Sequence, residues 1–157
     1  MVGRGKRAAA NGRERRARRQ AGWSTDQQAI VDRLFVYGTL RNGQAARSLI
    51  AEHVVAARPG TIRGRMFALA DGYPGFMPGA DGLVIGELVQ LRDLAAAFAL
   101  LDAYEGEDFT RALEVVTLGA PEPGQAWAWC YVLARPSLAE GGELIAGGDW
   151  AEYLRGG

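Results

Sequence analysis

Two short stretches of this chain carry residues whose chemistry goes beyond packing. Leu34-Phe35-Val36-Tyr37-Gly38-Thr39-Leu40-Arg41 begins as an apolar strand that Gly38 breaks, so Thr39 and the backbone N–H groups around it emerge at the strand's end. A loop opened by glycine lets the main chain approach a small anion closely, and successive N–H groups pointing one way hold a carboxylate. Further along, Leu101-Asp102-Ala103-Tyr104-Glu105-Gly106 supplies one carboxylate, Glu105, at the end of a predicted helix. The plain alternative for the first stretch is a strand-terminating turn, because Tyr-Gly-Thr-Leu by itself holds no catalytic group.

The other reactive side chains each have a structural and a functional reading. Asp102 lies three residues before Glu105, so the two form a carboxylate pair on one helix face, or Asp102 pairs with Arg111 or caps a neighbouring loop. Arg111 itself either meets a substrate carboxylate or belongs to that ion pair. Tyr73, in Tyr73-Pro74-Gly75, either lines a pocket mouth or packs in its turn, while Glu107 and Asp108 read as solvated loop residues. Trp127 and Trp129 alternate around Ala128 and share a sheet face. Cys130, beside Trp129 and Tyr131 in an apolar run, reads as core packing, and His53 as a surface residue. With one His and one Cys in the whole chain, a conventional His/Cys metal site cannot be built. No metal and no other cofactor is expected.

Positioning these groups requires a domain, and 157 residues with 48% apolar content suffice for one with a real core. The formal charge of zero hides an asymmetry. Residues 1–22 hold eight of the 18 basic side chains against the single acid Glu14, which leaves residues 23–157 with a net charge of −7. Residues 1–28, rich in Arg, Ala and Gly, read as a disordered basic tail, and residues 31–155 as the folded domain. The tail has four readings: a nonspecific nucleic-acid or acidic-surface contact, a solvated tail, a transit-like extension, or translation from an upstream start codon. No nucleic-acid-binding motif accompanies it, so a nucleic-acid partner is not expected. No apolar run reaches the roughly 20 residues of a membrane span, and the N-terminus lacks the apolar centre of a secretory signal, so a cytoplasmic protein is expected.

The pattern predicts strands over 33–37, 54–58, 61–69, 83–91, 113–118 and 126–133, with Gly64 marking a bulge or tight bend. A short helix is predicted over 45–52 and a longer one after an Asp93 N-cap, with Leu94, Phe98 and Leu101 as its apolar stripe and Gly106 as its C-terminal stop. Residues 70–75 read as a turn, and Asp149 as the cap of a last helical turn through Leu154. Consecutive strands with short turns and interior glycines suit a curved sheet, so the expected fold is α+β: a small closed mixed barrel of about six strands flanked by two or three helices.

Five landmarks in order give the chain a resemblance to the γ-glutamylcyclotransferase-like family, which includes γ-glutamylamine cyclotransferases and AIG2-like proteins. They are Phe35-Val36-Tyr37-Gly38-Thr39-Leu40-Arg41, Tyr73-Pro74-Gly75, Gly86-Glu87-Leu88, Leu101-Asp102-Ala103-Tyr104-Glu105-Gly106 with Phe109-Thr110-Arg111, and Gly148-Asp149-Trp150. The resemblance runs from about Leu34 to Leu154 and implies a small barrel with flanking helices. It implies an enzyme that cyclises a γ-glutamyl group to 5-oxoproline and releases an amine or amino acid, with Glu105 as acid/base. The substrate would sit at Tyr37, Gly38, Thr39 and Leu40, with Tyr73 at the mouth. Where many members carry Tyr, this chain has Phe109, one hydroxyl fewer near the site. The alternative is a catalytically silent member that acts as a small-molecule binding or interaction module. The partner is then a small γ-glutamyl compound, whose leaving group would meet residues 71–82, 106–110 and 135–148. The sequence sets no oligomeric state.

Overall fold

The first strand, Arg33–Val36 (β1), is buried at every position after Arg33, which is what a run of four apolar or aromatic residues predicts for a strand covered on both faces. The computed structural model describes residues 31–156, and the basic tail expected over 1–28 lies outside them. After β1 come Val54–Ala68 (β2), Pro74–Leu91 (β3), the helix Leu94–Glu105 (α1), Phe109–Leu118 (β4), Gly124–Leu133 (β5), the two-residue strand Glu143–Leu144 (β6) and the helix Trp150–Gly156 (α2).

The strand order is β3-β1-β5-β4-β2-β6, and β2 also pairs with β3, so the six-stranded mixed sheet partly closes into a ring. Among the described residues only the pairing of β1 with β5 is parallel, and its register sets Leu34 against Trp129 and Phe35 against Cys130. The α+β class and the flanking helices agree with the sequence pattern. Among the described residues no helix is long and apolar enough to cross a membrane.

Two apolar clusters flank β1. Phe35 and Tyr37 face one, with Ile62, Met66, Phe76 and Cys130; Leu34 and Val36 face the other, with Val89, Ala97, Leu101 and Tyr131. Residues two apart on one strand thus enter the same cluster, as the pleat requires. The second cluster holds α1 to the sheet through buried Ala97 and Leu101 and partly buried Leu94 and Phe98. Cys130 is fully buried, as expected of a packing residue.

Four local expectations need correction. Residues 47–49 and 51–53 form two 3-10 turns rather than one α-helix, because Leu49 and Ile50 alone do not make an apolar stripe. Val54–Ala68 is one strand rather than two, and β3 starts at Pro74, inside the expected 70–75 turn, instead of at Leu83. There the pairing with β2 overrides Pro74, Gly75 and Pro78, while residues 79–82 bulge out between the pairs Gly64–Pro78 and Arg63–Leu83. One of the two register shifts falls between Arg63 and Gly64, where Gly64 has φ +143° and a β-carbon would run into the Met77 carbonyl and the Phe76 ring. Asp93 does precede α1, but in a left-handed conformation (φ 53°), and its side chain caps nothing. Asp149 behaves as read: its Oδ1 accepts the backbone N–H of Glu152 at 3.2 Å.

Candidate active site

Where β1 ends, Gly38–Arg41 forms a tight turn closed by the Arg41 N–H donating to the Gly38 carbonyl at 3.0 Å. The Ala46 N–H donates to the Thr39 carbonyl at 2.8 Å. Among the described residues, no acceptor takes the N–H of Gly38, Thr39 or Leu40. Two ion pairs fix this loop. Arg41 reaches Asp149 at the start of α2 at 2.8 Å. Arg47 reaches Glu87 of β3 at 2.8 Å and also donates to the Leu40 carbonyl at 3.2 Å, while Glu87 accepts the Asn42 N–H at 3.0 Å. All four charged side chains are less than a fifth exposed, so these pairs are held more tightly than surface ones. Gly38 has no room for a side chain: a β-carbon there would run into Pro74.

Opposite this loop stands the end of α1. Its last residue is Glu105, and Gly106 stops the helix with φ +73° while its N–H donates to the Asp102 carbonyl. Burial pushes the half-buried Glu105 carboxyl up to about 7 from its ordinary 4.5. No described side chain or N–H bonds to it, and the negative end of the helix offers no compensation. Tyr104 beside it ties the two halves of the site together through a 2.8 Å hydrogen bond between its hydroxyl and that of Thr39.

Between loop and helix end lies a cavity of about 250 Å³. Tyr37, Gly38, Thr39, Leu40, Tyr73 and Glu105, singled out from the sequence, all line it. Tyr37 does so with its hydroxyl already committed, donating to the Tyr131 carbonyl at 2.8 Å, and its ring packed against Phe76. Tyr73 is 55% exposed at the rim, in a turn closed by its own N–H donating to Asp71 Oδ1.

Asp71, Asp108 and Phe109 line the cavity from stretches expected near the substrate, though the two acids were not singled out, and Tyr131 lines it without any such expectation. Phe109 and Tyr131 arrive through the β4–β5 pairing. Of the stretches expected to meet a leaving group, 71–82 and 106–110 reach the lining, whereas 135–148 does not.

Asp102 takes the structural alternative. Its two oxygens accept Nε and Nη2 of Arg111 at 3.0 and 3.3 Å, and Tyr131 donates its hydroxyl to Oδ1 at 2.6 Å. Arg111 in turn stacks over Phe98, 4.1 Å from the ring centre, and over Trp129 at 5.3 Å. That network fixes α1, and with it Glu105, against β4 and β5. Burial, and after it the bond to the Asp102 carboxylate, raises the pKa of the Tyr131 hydroxyl.

The family model described as gamma-glutamyl cyclotransferase, AIG2-like, matches residues 34–152. A Niallia circulans protein named gamma-L-glutamyl-butirosin B gamma-glutamyl cyclotransferase is 30% identical over 127 residues, which cover 79% of this chain and 78% of the relative. The fold is similar to that of YkqA from Bacillus subtilis (TM-score 0.63, 24% identity), covering 80% of this chain but only 41% of that one. It is also similar to that of an AIG2-like protein from Mus musculus (TM-score 0.60, 19% identity), covering 76% of this chain and 87% of that one. By the family match and the Niallia relative, this chain belongs to the AIG2-like gamma-glutamyl cyclotransferase family.

Proposed function

We propose that the cavity binds a γ-glutamyl compound and that Glu105 moves the protons as the glutamyl α-amine attacks the γ-carbonyl. The new C–N bond closes 5-oxoproline, the amide C–N bond breaks, and the amine departs. The substrate's α-amine is largely protonated near neutral pH and becomes a nucleophile only after losing a proton. Glu105 accepts it and returns it to the leaving nitrogen, and the second proton that the attacking nitrogen sheds on closing the ring passes by way of the same carboxylate to the freed amine. A carboxyl with a pKa of about 7 suits both steps, since it is partly ionised and partly protonated at neutral pH.

The glutamyl α-carboxylate sits, in this reading, on the N–H groups of Gly38, Thr39 and Leu40, which have no acceptor among the described residues. Backbone donors hold it without a neutralising side chain. Since nucleophile and electrophile belong to one molecule, the enzyme mainly folds the substrate into its reactive shape, and such alignment supplies effective molarities of order 10⁵ to 10⁸ M. Tyr73 and Tyr104 line the route toward the leaving group.

One observation supports this reading: a half-buried Glu105 and the N–H groups of the strand-end loop, none with a bonding partner among the described residues, share a single cavity. The test is incubation of the purified protein with a panel of γ-glutamyl amides and γ-glutamyl amino acids, followed by mass spectrometry. Equal amounts of 5-oxoproline and free amine from at least one of them support it. Release of glutamate instead would mean that water, not the α-amine, is the attacking group.

A further inference from the structure

The cavity's charge is one-sided. Asp71, Glu105 and Asp108 line it, and among the lining residues there is no Lys, Arg or His. The nearby arginines are engaged elsewhere: Arg41 with Asp149, Arg47 with Glu87 and Arg111 with Asp102. Arg135 approaches Asp108, but at 3.9 Å with both side chains at least half exposed, a pair too long and too solvated to cancel the carboxylate. Asp71 is exposed, and its Oδ1 is turned toward the Tyr73 N–H, while no described residue binds its Oδ2. Two exposed tyrosines also line the cavity, Tyr73 at 55% and Tyr104 at 41% exposure, and aromatic rings attract cations that reach their faces.

The proposed reaction uses the unpaired N–H groups at Gly38–Leu40 for the one carboxylate every γ-glutamyl compound carries. A second carboxylate, on the departing portion, finds no cation in the wall and meets Asp71 and Asp108. A second ammonium group there meets two carboxylates and two aromatic rings. We infer that Asp71 and Asp108 are specificity-determining residues that select a leaving amine bearing a further positive charge and reject one bearing a carboxylate. This rests on the cyclisation reading for which portion of the substrate lies at the mouth.

Three compounds of equal length separate the possibilities: the γ-glutamyl amides of 1,4-diaminobutane (cationic free end), of butylamine (neutral) and of 4-aminobutyrate (anionic). At low salt kcat/KM should follow cationic, neutral, anionic, with about tenfold between the ends of the series, and the spread should shrink as salt screens the rim. In an Asp71→Asn/Asp108→Asn double variant the cationic and anionic compounds should converge when each is referred to the neutral one. Binding of the same three compounds to Glu105→Gln, followed by calorimetry, reads the charge order without turnover. Binding in that order with no 5-oxoproline from the wild type would overturn the cyclisation reading while upholding charge selection. Turnover of the anionic compound as efficient as of the cationic one, or an unchanged spread in the double variant, would overturn charge selection alone.

Discussion

Replacing Glu105 by Gln should stabilise the protein, and by an amount that depends on pH. The folded carboxyl titrates at about 7 and the unfolded one near 4.5, a gap equivalent to about 3 kcal/mol. Between those values the native state holds the proton and the unfolded state has lost it, so stability falls as pH rises through the window. Below it both states are protonated and the group contributes nothing. Glutamine, neutral throughout, escapes this loss. From pH 5 to pH 8 its advantage should grow by about 2.5 kcal/mol for a fully desolvated group, and by about 1 to 2 kcal/mol once water at the half-buried carboxyl is allowed for. At about 3 °C per kcal/mol for a domain of this size, the difference in Tm should widen by about 3 to 6 °C. Thermal melts of the two proteins from pH 5 to 8 measure it directly, since every other titrating group is common to both. Parallel curves, or a glutamine protein that is the less stable at pH 8, would show that the carboxylate is well solvated or well paired and would remove the physical basis for its role as a base. The predicted gain is the signature of a group kept at the expense of stability.

Three further substitutions test how the site is held. Gly38→Val drives a side chain into Pro74 at the cavity wall, so it should both cost about 1 to 3 kcal/mol in chemical denaturation and raise KM. Glu87→Gln strips the nearly buried Arg47 of its ion-pair partner; a loss of about 1 to 3 kcal/mol is expected, with KM rising more than kcat falls because the strand-end loop loosens. Asp102→Asn weakens the pairing to Arg111, which is partly exposed. A stability loss of about 1 kcal/mol or less is expected with kcat within a few fold of wild type, and a kcat collapse in a folded Asp102→Asn protein would assign that carboxylate to the chemistry instead.

What could be read in the sequence was local. The apolar run into Gly38 marked both β1 and the turn beyond it, and the stripe of α1 ending at Gly106 located Glu105 at a helix terminus. Residues delivered by long-range pairing carried no such mark. Tyr131 enters the cavity because β5 lies beside β1, and Phe109 because β4 pairs with β5. A hint existed for Tyr131: it continues the alternation of Trp127 and Trp129, and the same face packs toward α1 through Trp129 and Tyr131. Asp71 and Asp108 read as ordinary turn acids, and only the cavity between them and Glu105 gives them a setting. The continuation of β3 through Pro74–Pro78 was hidden for the opposite reason, since its prolines and glycine signal turns and only the partner strand β2 outweighs them. Asp93 misled because a residue type favoured at N-caps sits at the right position with the wrong backbone angles.

The central claim is that Glu105 transfers the proton. The most direct measurement is kcat of Glu105→Gln at saturating substrate, with binding of the same γ-glutamyl amide checked by calorimetry so that loss of turnover is not loss of occupancy. Glutamine keeps the size of the side chain but cannot accept the amine's proton, so kcat should fall by about 10² to 10⁴ while binding survives. Turnover within a few fold of wild type at full occupancy would contradict the account.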